Sequence, residues 1–258
     1  QYSVLGFGSK AYPDFCKFAF DVHNQLSKQH WATSLVDVHT VNDKSPQEIS
    51  LWAESWSQQS GILLHDFPKQ KKLDTKSLQQ FDVWSNTGVS PETATFQIKL
   101  NTKGKLKAKS GDLLAIYPAN DHRERLYSIG VVDNKIQLSV RLHPDGLGSA
   151  YLHSLKSKDQ LKAKIIKNPH FYFPEQASQV IMISNGTGIA PFLGMMDQNE
   201  KKIPCYLFSG FRAASSFEPF ESFIAGMITK AKLSKHHIAF SREGDKKYVS
   251  DLINIEAD

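Results

Sequence analysis

The texture of the chain changes twice, and that change limits its architecture more than any single motif. From Phe81 to Leu142 the chain breaks into short runs of β pattern: Phe81–Trp84, Ala94–Leu100, Leu113–Tyr117, Leu126–Ile129 and Ile136–Leu142. Turn residues separate them, at Asn101, Gly104, Gly111-Asp112 and Asp133-Asn134. Closely spaced strands with such punctuation form a small barrel or sandwich. On both sides of this block, strands alternate with amphipathic helices, which is an α/β rhythm. Ahead of it, Tyr2–Leu5 reads as a strand running into a sharp glycine turn at Gly6-Phe7-Gly8. Pro13 opens a helix, Asp14–Ser27, with Phe15, Phe18, Ala19, Val22 and Leu26 spaced for one buried face. Leu35–Val38 reads as a strand and Pro46–Gln59 as a second helix carrying Ile49, Trp52 and Trp56. Two strands are too few for a stable sheet alone, so this part is expected to belong to a larger α/β domain or to pack on the rest of the chain. His65–Gln80 is polar and lysine-rich and reads as a linker. After the β block come a strand at Val180–Ser184, expected to be buried, a helix at Ala190–Gln198, a strand at Tyr206–Ser209, a helix at Phe217–Ala231 and a strand at His237–Ser241.

A length of 258 residues gives room for one large domain or two ordinary ones. The two cysteines, Cys16 and Cys205, lie far apart. They are too few for a cysteine-ligated iron–sulfur cluster, a four-cysteine zinc site or a disulfide framework, and the last point favours a reducing compartment. No apolar run approaches the ~18 residues of a membrane span, and no basic-apolar-small signal sequence opens the chain. The net charge of +5 is unevenly distributed. Residues 1–60 hold four Lys against six Asp or Glu, whereas residues 61–258 hold 27 basic and 20 acidic side chains. The lysines are scattered (Lys99, Lys103, Lys105, Lys107, Lys109; Lys156, Lys158, Lys162, Lys164, Lys167), with no nucleic-acid motif beside them. They read either as a solvated surface or as attraction for an acidic partner or a phosphorylated ligand.

Three segments carry chemistry. In Arg125-Leu126-Tyr127-Ser128-Ile129, strand alternation puts Arg125, Tyr127 and Ile129 on one face and Leu126 and Ser128 on the other. A guanidinium fork suits a diphosphate and a phenol ring suits a planar ligand, although five such residues also make an ordinary barrel strand. Gly146-Leu147-Gly148-Ser149 precedes a helical stretch, Ala150–Leu155. It reads as an anion site at a helix amino terminus or as a plain N-capped turn. Ser184-Asn185-Gly186-Thr187-Gly188-Ile189-Ala190-Pro191-Phe192 joins a strand to a helix. Its glycines would let a dinucleotide approach the backbone, but the spacing is not G-x-G-x-x-G, and a tight strand-to-helix turn is the other reading.

The order of these segments and the surrounding texture resemble the ferredoxin–NADP reductase family, in particular its diflavin branch of cytochrome P450 reductases and the sulfite reductase flavoprotein subunit. The resemblance covers almost the whole chain. Arg125-Leu126-Tyr127-Ser128 resembles the family's R-x-Y-S motif. It implies that Arg125 binds the FAD pyrophosphate, that Tyr127 stacks on the isoalloxazine and that Ser128 hydrogen-bonds near flavin N5. Gly146, Leu147, Gly148 and Ser149 resemble the second phosphate loop, and Gly186–Phe192 the nicotinamide and pyrophosphate loop, with Gly186, Thr187 and Gly188 as contacts and Thr187 placing the nicotinamide ribose. Leu207–Arg212 resembles the G-C-R strand end, with Phe211 in place of Cys and Arg212 as the basic residue. Ser241-Arg242-Glu243-Gly244-Asp245-Lys246-Lys247-Tyr248-Val249 is similar to S-R-x-x-x-x-K-x-Y-V, one residue shorter. It implies Ser241, Arg242 and either Lys246 or Lys247 around a 2′-phosphate, with Tyr248 on the adenine. Val4–Cys16 is similar to the last FMN loop of a flavodoxin-like module, with Gly6 and Gly8 in the loop and Tyr12 stacking on FMN.

The implied fold class is α/β plus all-β. Residues 1–64 would be the carboxy-terminal part of a flavodoxin-like domain, 65–80 a linker, 81–175 an antiparallel β-barrel FAD domain and 176–258 an α/β NADP-binding domain. The implied activity is an NADPH-dependent reductase: hydride passes from NADPH to FAD, then single electrons pass to FMN and on to a haem- or metal-containing acceptor. The other reading is a non-catalytic nucleotide-binding or partner-docking fragment. FAD and NADP(H) are the expected cofactors. FMN is expected only with a complete flavodoxin domain, because the phosphate-gripping loop of that module has no counterpart here. The helical insertion of P450-type reductases has no counterpart between the strands, and Ser184-Asn185 stands where many relatives have Gly-Pro. The family's terminal Cys-Gly segment and flavin-covering aromatic are not reached before Asp258, so this form is expected to bind its ligands yet transfer hydride slowly. No nucleic-acid partner is expected. The expected location is cytoplasmic, with a membrane tether left open for a longer parent protein.

Overall fold

The computed structural model describes residues 1–10, 12–64, 78–118, 124–144 and 146–257. The chain divides into two compact units, Gln1–Leu73 and Asp74–Asp258.

In the first unit, β1 (Leu5–Gly8) and β2 (His39–Asn42) pair in parallel, with Leu5 opposite His39. The helices are α1 (Lys17–Leu26) and α2 (Pro46–Ser60). The start of α2 follows from its first residues: Pro46 presets the helical φ, and the Ser45 hydroxyl accepts the Glu48 N–H at 3.4 Å. Both strands lie later in sequence than the pattern suggests. Tyr2 makes only a single bridge, to Ser34, and Gly6-Phe7-Gly8 is not a turn but the strand itself. The glycines serve close packing. A Cβ on Gly6 would lie 2.6 Å from Ala19 Cβ, and one on Gly8 would lie 2.9 Å from Cys16 Sγ. Helix α1 starts only at Lys17, because Cys16 has a left-handed backbone (φ 53°). Of its expected apolar face Ala19 alone is buried, and Phe18 is 81% exposed.

The second unit opens with an antiparallel sheet of seven strands. These are β3 (Gln79–Asn86), β4 (Thr95–Asn101), β5 (Leu113–Ile116), β6 (Arg125–Ser128), β7 (Gly130–Val132), β8 (Lys135–Arg141) and β9 (Gln160–Ile166). Their order is β6-β5-β9-β3-β4-β8-β7. The two edge strands, β6 and β7, are consecutive in the chain and joined through the fully buried Ile129, so the sheet nearly closes into a barrel. Alternation fills the interior: Phe96, Ile98 and Leu100 of β4 point inward against Phe81, Leu114, Ile136, Leu138 and Leu161. Strand β9 had the same signal in Leu161, Ala163 and Ile165, but the outward Lys162 and Lys164 made it read as charged surface. Strand β7 is three residues long and shows no period. Helix α3 (Leu147–Ser154) begins three residues before the expected stretch. Its last carbonyls are met by Asn86 Nδ2, which donates to Leu152 O at 3.1 Å and to Leu155 O at 2.9 Å.

Strands β10 (Val180–Asn185), β11 (Cys205–Phe211) and β12 (Lys235–Phe240) form a parallel sheet in that order, with helices α4 (Ala190–Asp197), α5 (Ala214–Thr229) and α6 (Val249–Ala257). Only one face of β10 is covered: Val180, Met182 and Ser184 are buried, whereas Ile181 and Ile183 are 58% and 50% exposed. Helix α6, which the sequence pattern did not suggest, closes over Phe208 and Ala239 through Val249. Barrel and parallel sheet meet where α4 lies on β7. A Cβ on Gly130 would stand 2.1 Å from Ala190 O, and one on Gly194 would stand 2.1 Å from Ser110 Oγ. The Ser110 hydroxyl accepts the Val131 N–H at 3.0 Å.

Asp112, wholly buried, ties the start of β5 to the chain after β9. Its carboxylate accepts from Lys109 N (2.9 Å), Lys167 Nζ (3.0 Å), Asn168 N (3.0 Å) and the Tyr172 hydroxyl (2.5 Å). Burial alone would raise its pKa, but these donors outweigh it and hold the carboxyl below its usual value.

His236, on β12, has a buried Nε2 without a hydrogen-bond partner, and its ring lies 5.2 Å from that of Phe217. Burial, and next the neighbouring His237, push its pKa from 6.5 down to about 4. The unfolded chain therefore binds this proton first as pH falls. Stability contributed by neutral His236 is intact above pH ~6.5 and is lost between there and about pH 4. Urea unfolding of wild type and His236→Leu at pH 7 and pH 4.5 checks this: the wild type should lose more stability over that interval than the variant.

Candidate functional site

Two clefts in the second unit gather most of the residues singled out above. The first, of about 430 Å³, runs along β6, the end of β8 and the start of α3. Arg125 and Tyr127 line it, as does Leu126 from the other face of the strand, together with Gly146, Leu147, Gly148 and Ser149. The residues fit a flavin dinucleotide. A guanidinium stands beside a half-buried phenol whose pKa is raised by burial, Arg125 pulling the other way, so the ring is neutral. Leu126 and Leu147 leave apolar surface for a planar ligand, 48% and 52% exposed. Among the described residues, the N-cap Gly146 makes no side-chain cap hydrogen bond to α3, which leaves the first backbone N–H groups for an acceptor. The Ser149 hydroxyl is already engaged: it accepts the His143 N–H and donates to Gly146 O, both at 3.1 Å, and so shapes the loop. Gly148 is required by packing, since a Cβ there would stand 2.8 Å from both Arg125 Cγ and the Tyr127 hydroxyl. Ser128 is exposed on the other face of β6, opposite Leu113 in register, outside this lining.

The second cleft, of about 440 Å³, opens between the ends of β10, β11 and β12 and the barrel strands β4 and β8. Gly186, Thr187, Arg212, Ser241, Lys247 and Tyr248 line it. Gly186 has φ +49°, and neither Gly186 nor Gly188 has anything within 4 Å of where a Cβ would be, so ligand atoms can reach this backbone. Lys247 lies in the lining, 3.4 Å from Asp245, and Lys246 does not. Arg242 N donates to Arg212 O at 2.9 Å. The nearby positive charges of Arg141 and then Arg242 hold the Arg212 pKa below its ordinary value. Arg141 and Arg212 line the cleft, Arg242 adjoins Arg212 from outside the lining, and positive charge so placed favours an anion. Tyr248 is 65% exposed, a free ring face at the rim.

Thr187, Ser139 and Arg141 line both clefts, so the two adjoin. Sequence reasoning missed Ser139 and Arg141. Their signal was the alternation of β8, in which Leu138 and Val140 point inward and Ser139 and Arg141 outward. Gly6, Gly8 and Tyr12 belong to the first unit. There Gly6 packs against Ala19 of α1 and Gly8 against Phe15 and Cys16 just ahead of it, and Tyr12 is 71% exposed. Among the described residues, no three His, Cys, Asp or Glu side chains are placed to hold a metal ion.

Residues 80–170 match the family model of the oxidoreductase FAD-binding domain. The chain is similar to the reductase component 2 of terephthalate 1,2-dioxygenase from Comamonas sp: 28% identical over 137 residues, 51% of this chain and 40% of that protein. It is also similar to the sulfite reductase [NADPH] flavoprotein alpha-component of Aliivibrio fischeri: 27% identical over 242 residues, 85% of this chain and 36% of that protein. The latter coverage exceeds the second unit and so reaches into the first. The chain thus spans about 40% or less of the length of these relatives. Its fold is shared with ferredoxin-NADP+ reductase from Plasmodium falciparum, at a TM-score of 0.59 and 19% identity, over 71% of this chain and 81% of that one. Residues 80–170 therefore match an oxidoreductase FAD-binding domain, and together with the α/β domain that follows they share the fold of ferredoxin-NADP+ reductase.

The packing of Gly148 yields a direct check. Gly148→Ala should push α3 off Arg125 and Tyr127 and weaken flavin binding by about tenfold or more. Fluorescence titration of the flavin-free protein with FAD measures it.

Proposed function

We propose that the chain is the reductase module of an NADPH-dependent flavoprotein. The observation that carries this reading is the junction of the two clefts at Ser139, Arg141 and Thr187. A flavin in the first cleft and a nicotinamide dinucleotide in the second would meet there. When bound, FAD would supply the redox chemistry, taking hydride from NADPH and releasing single electrons. Every other task belongs to residues of this chain. Arg125 neutralises the flavin diphosphate from β6, and Tyr127 gives the ring platform. The bare backbone at Gly186–Gly188 admits the dinucleotide, and Thr187 holds its ribose at the junction. Ser241, Arg212 and Lys247, with Arg242 beside them, would hold the 2′-phosphate, and Tyr248 would cover the adenine. The names of the relatives support this reading, since the sulfite reductase component is an NADPH flavoprotein.

Electrons would leave to a haem- or metal-containing acceptor, by way of FMN where a complete flavodoxin-like domain is present. The two cysteines, free and buried, suit a reducing, cytoplasmic setting. Among the described residues, no helix is long and apolar enough to cross a membrane.

Heat release of the flavin from purified protein, followed by chromatography against standards, should give FAD. FMN in its place would contradict the assignment of the first cleft. For the second cleft, Arg242→Ala should weaken NADPH binding by about tenfold or more and leave NADH nearly unchanged, because the lost charge-assisted contact serves the 2′-phosphate alone. Calorimetry with each nucleotide decides it, and equal losses would mean that Arg242 only supports the fold.

A further inference from the structure

Glu243 follows Arg242 in the turn after β12, outside the lining of the second cleft. Its Oε2 accepts the backbone N–H of Ala214 at 2.7 Å, across from the turn after β12 to the first residue of α5. Among the described residues no other side chain caps that helix: Ala213, at its N-cap, has no side-chain acceptor, and the first turn holds no acidic residue. The bond is the last rung of a ladder that continues the β11–β12 pairing past the strand ends. Ser241 N donates to Phe211 O and Arg242 N to Arg212 O, both at 2.9 Å, and then Ala214 N donates to Glu243. Arg212 and Arg242 therefore sit side by side on two segments that their like charges would otherwise push apart. A carboxylate on a helix amino terminus is held by the charge-assisted hydrogen bond and by the helix dipole, so this rung can resist that repulsion.

We propose that Glu243 is a positioning residue for the phosphate-bearing end of the dinucleotide: by clamping the Ser241–Arg242 turn to the amino terminus of α5, it pre-assembles Arg212 and Arg242 as one cradle for a phosphate dianion and keeps that phosphate on the guanidinium groups instead of the helix end. This deepens the NADP(H) reading of the second cleft and rests on it.

The test is calorimetric binding of 2′,5′-ADP and of 5′-AMP, which differ only in the 2′-phosphate, to the full chain loaded with FAD. Three variants are compared. Glu243→Ala removes the acceptor. Glu243→Gln keeps an acceptor oxygen without the charge. Ala214→Pro removes the donor alone, at a helix position that favours proline and after an extended residue (Ala213, φ −151°, ψ 169°). The wild type should prefer 2′,5′-ADP. Glu243→Ala and Ala214→Pro should each lose about tenfold for 2′,5′-ADP and less than about twofold for 5′-AMP, with Glu243→Gln, which keeps the acceptor but not the charge, restoring only part of the loss. If the wild type shows no preference for 2′,5′-ADP, the NADP(H) reading falls and the inference falls with it. If the wild type does prefer it, three results overturn the inference alone: equal losses for both ligands, tighter phosphate binding in Glu243→Ala, or an effect of Glu243→Ala that Ala214→Pro does not reproduce.

Discussion

The distance between the barrel and the parallel sheet is set by two glycines. At Gly130 on β7 and Gly194 on α4, a single added carbon would meet Ala190 O or Ser110 Oγ at 2.1 Å, well inside contact distance. Backbone therefore lies on backbone along this seam, and α4 reaches the barrel wall. Because α4 follows directly from the turn that carries Gly186 and Thr187, the same seam delivers that turn to the outward face of β8. The adjoining of the two clefts at Ser139, Arg141 and Thr187 is a consequence of how closely α4 can approach.

Charge shapes the site as much as packing does. Arg141 comes from the barrel and Arg212 from the end of β11, so cations from both halves of the unit face one opening, with Arg242 next to Arg212 outside the lining. Their mutual repulsion is a cost in the absence of a ligand, and an anion bound among them relieves it. The +7 excess of residues 61–258 thus has two parts: scattered, exposed lysines such as Lys162 and Lys164, and this gathered group. Asp112 shows the opposite arrangement, a buried carboxylate whose charge is answered by four donors within the protein.

Much of the architecture was legible because alternation and turn residues are local signals. The barrel strands β4, β5, β6 and β8 fall within a residue or so of the sequence expectation. The failures have physical causes. Glycines at Gly6 and Gly8 looked like a turn, but they let α1 and the residues just ahead of it lie on β1, a tertiary demand that no local pattern shows. Phe18 kept helical spacing yet is exposed, since spacing gives a face and not what covers it. Lysines on the outside of β9 masked its inward Leu161 and Ala163. At the clefts, motif residues such as Arg125, Tyr127, Thr187 and Tyr248 were found because their chemistry is concentrated in short segments. Arg141 belongs to no such segment, and its place at the junction emerges only when two distant parts of the chain come together.

The central claim is that ligands in the two clefts touch at that junction. It is tested most directly by titrating NADP+ into the FAD-loaded protein while recording the visible flavin spectrum, with calorimetry on the same samples. Contact predicts a saturable perturbation of the flavin bands whose midpoint matches the calorimetric dissociation constant. NADP+ binding that leaves the flavin spectrum unchanged would contradict the claim.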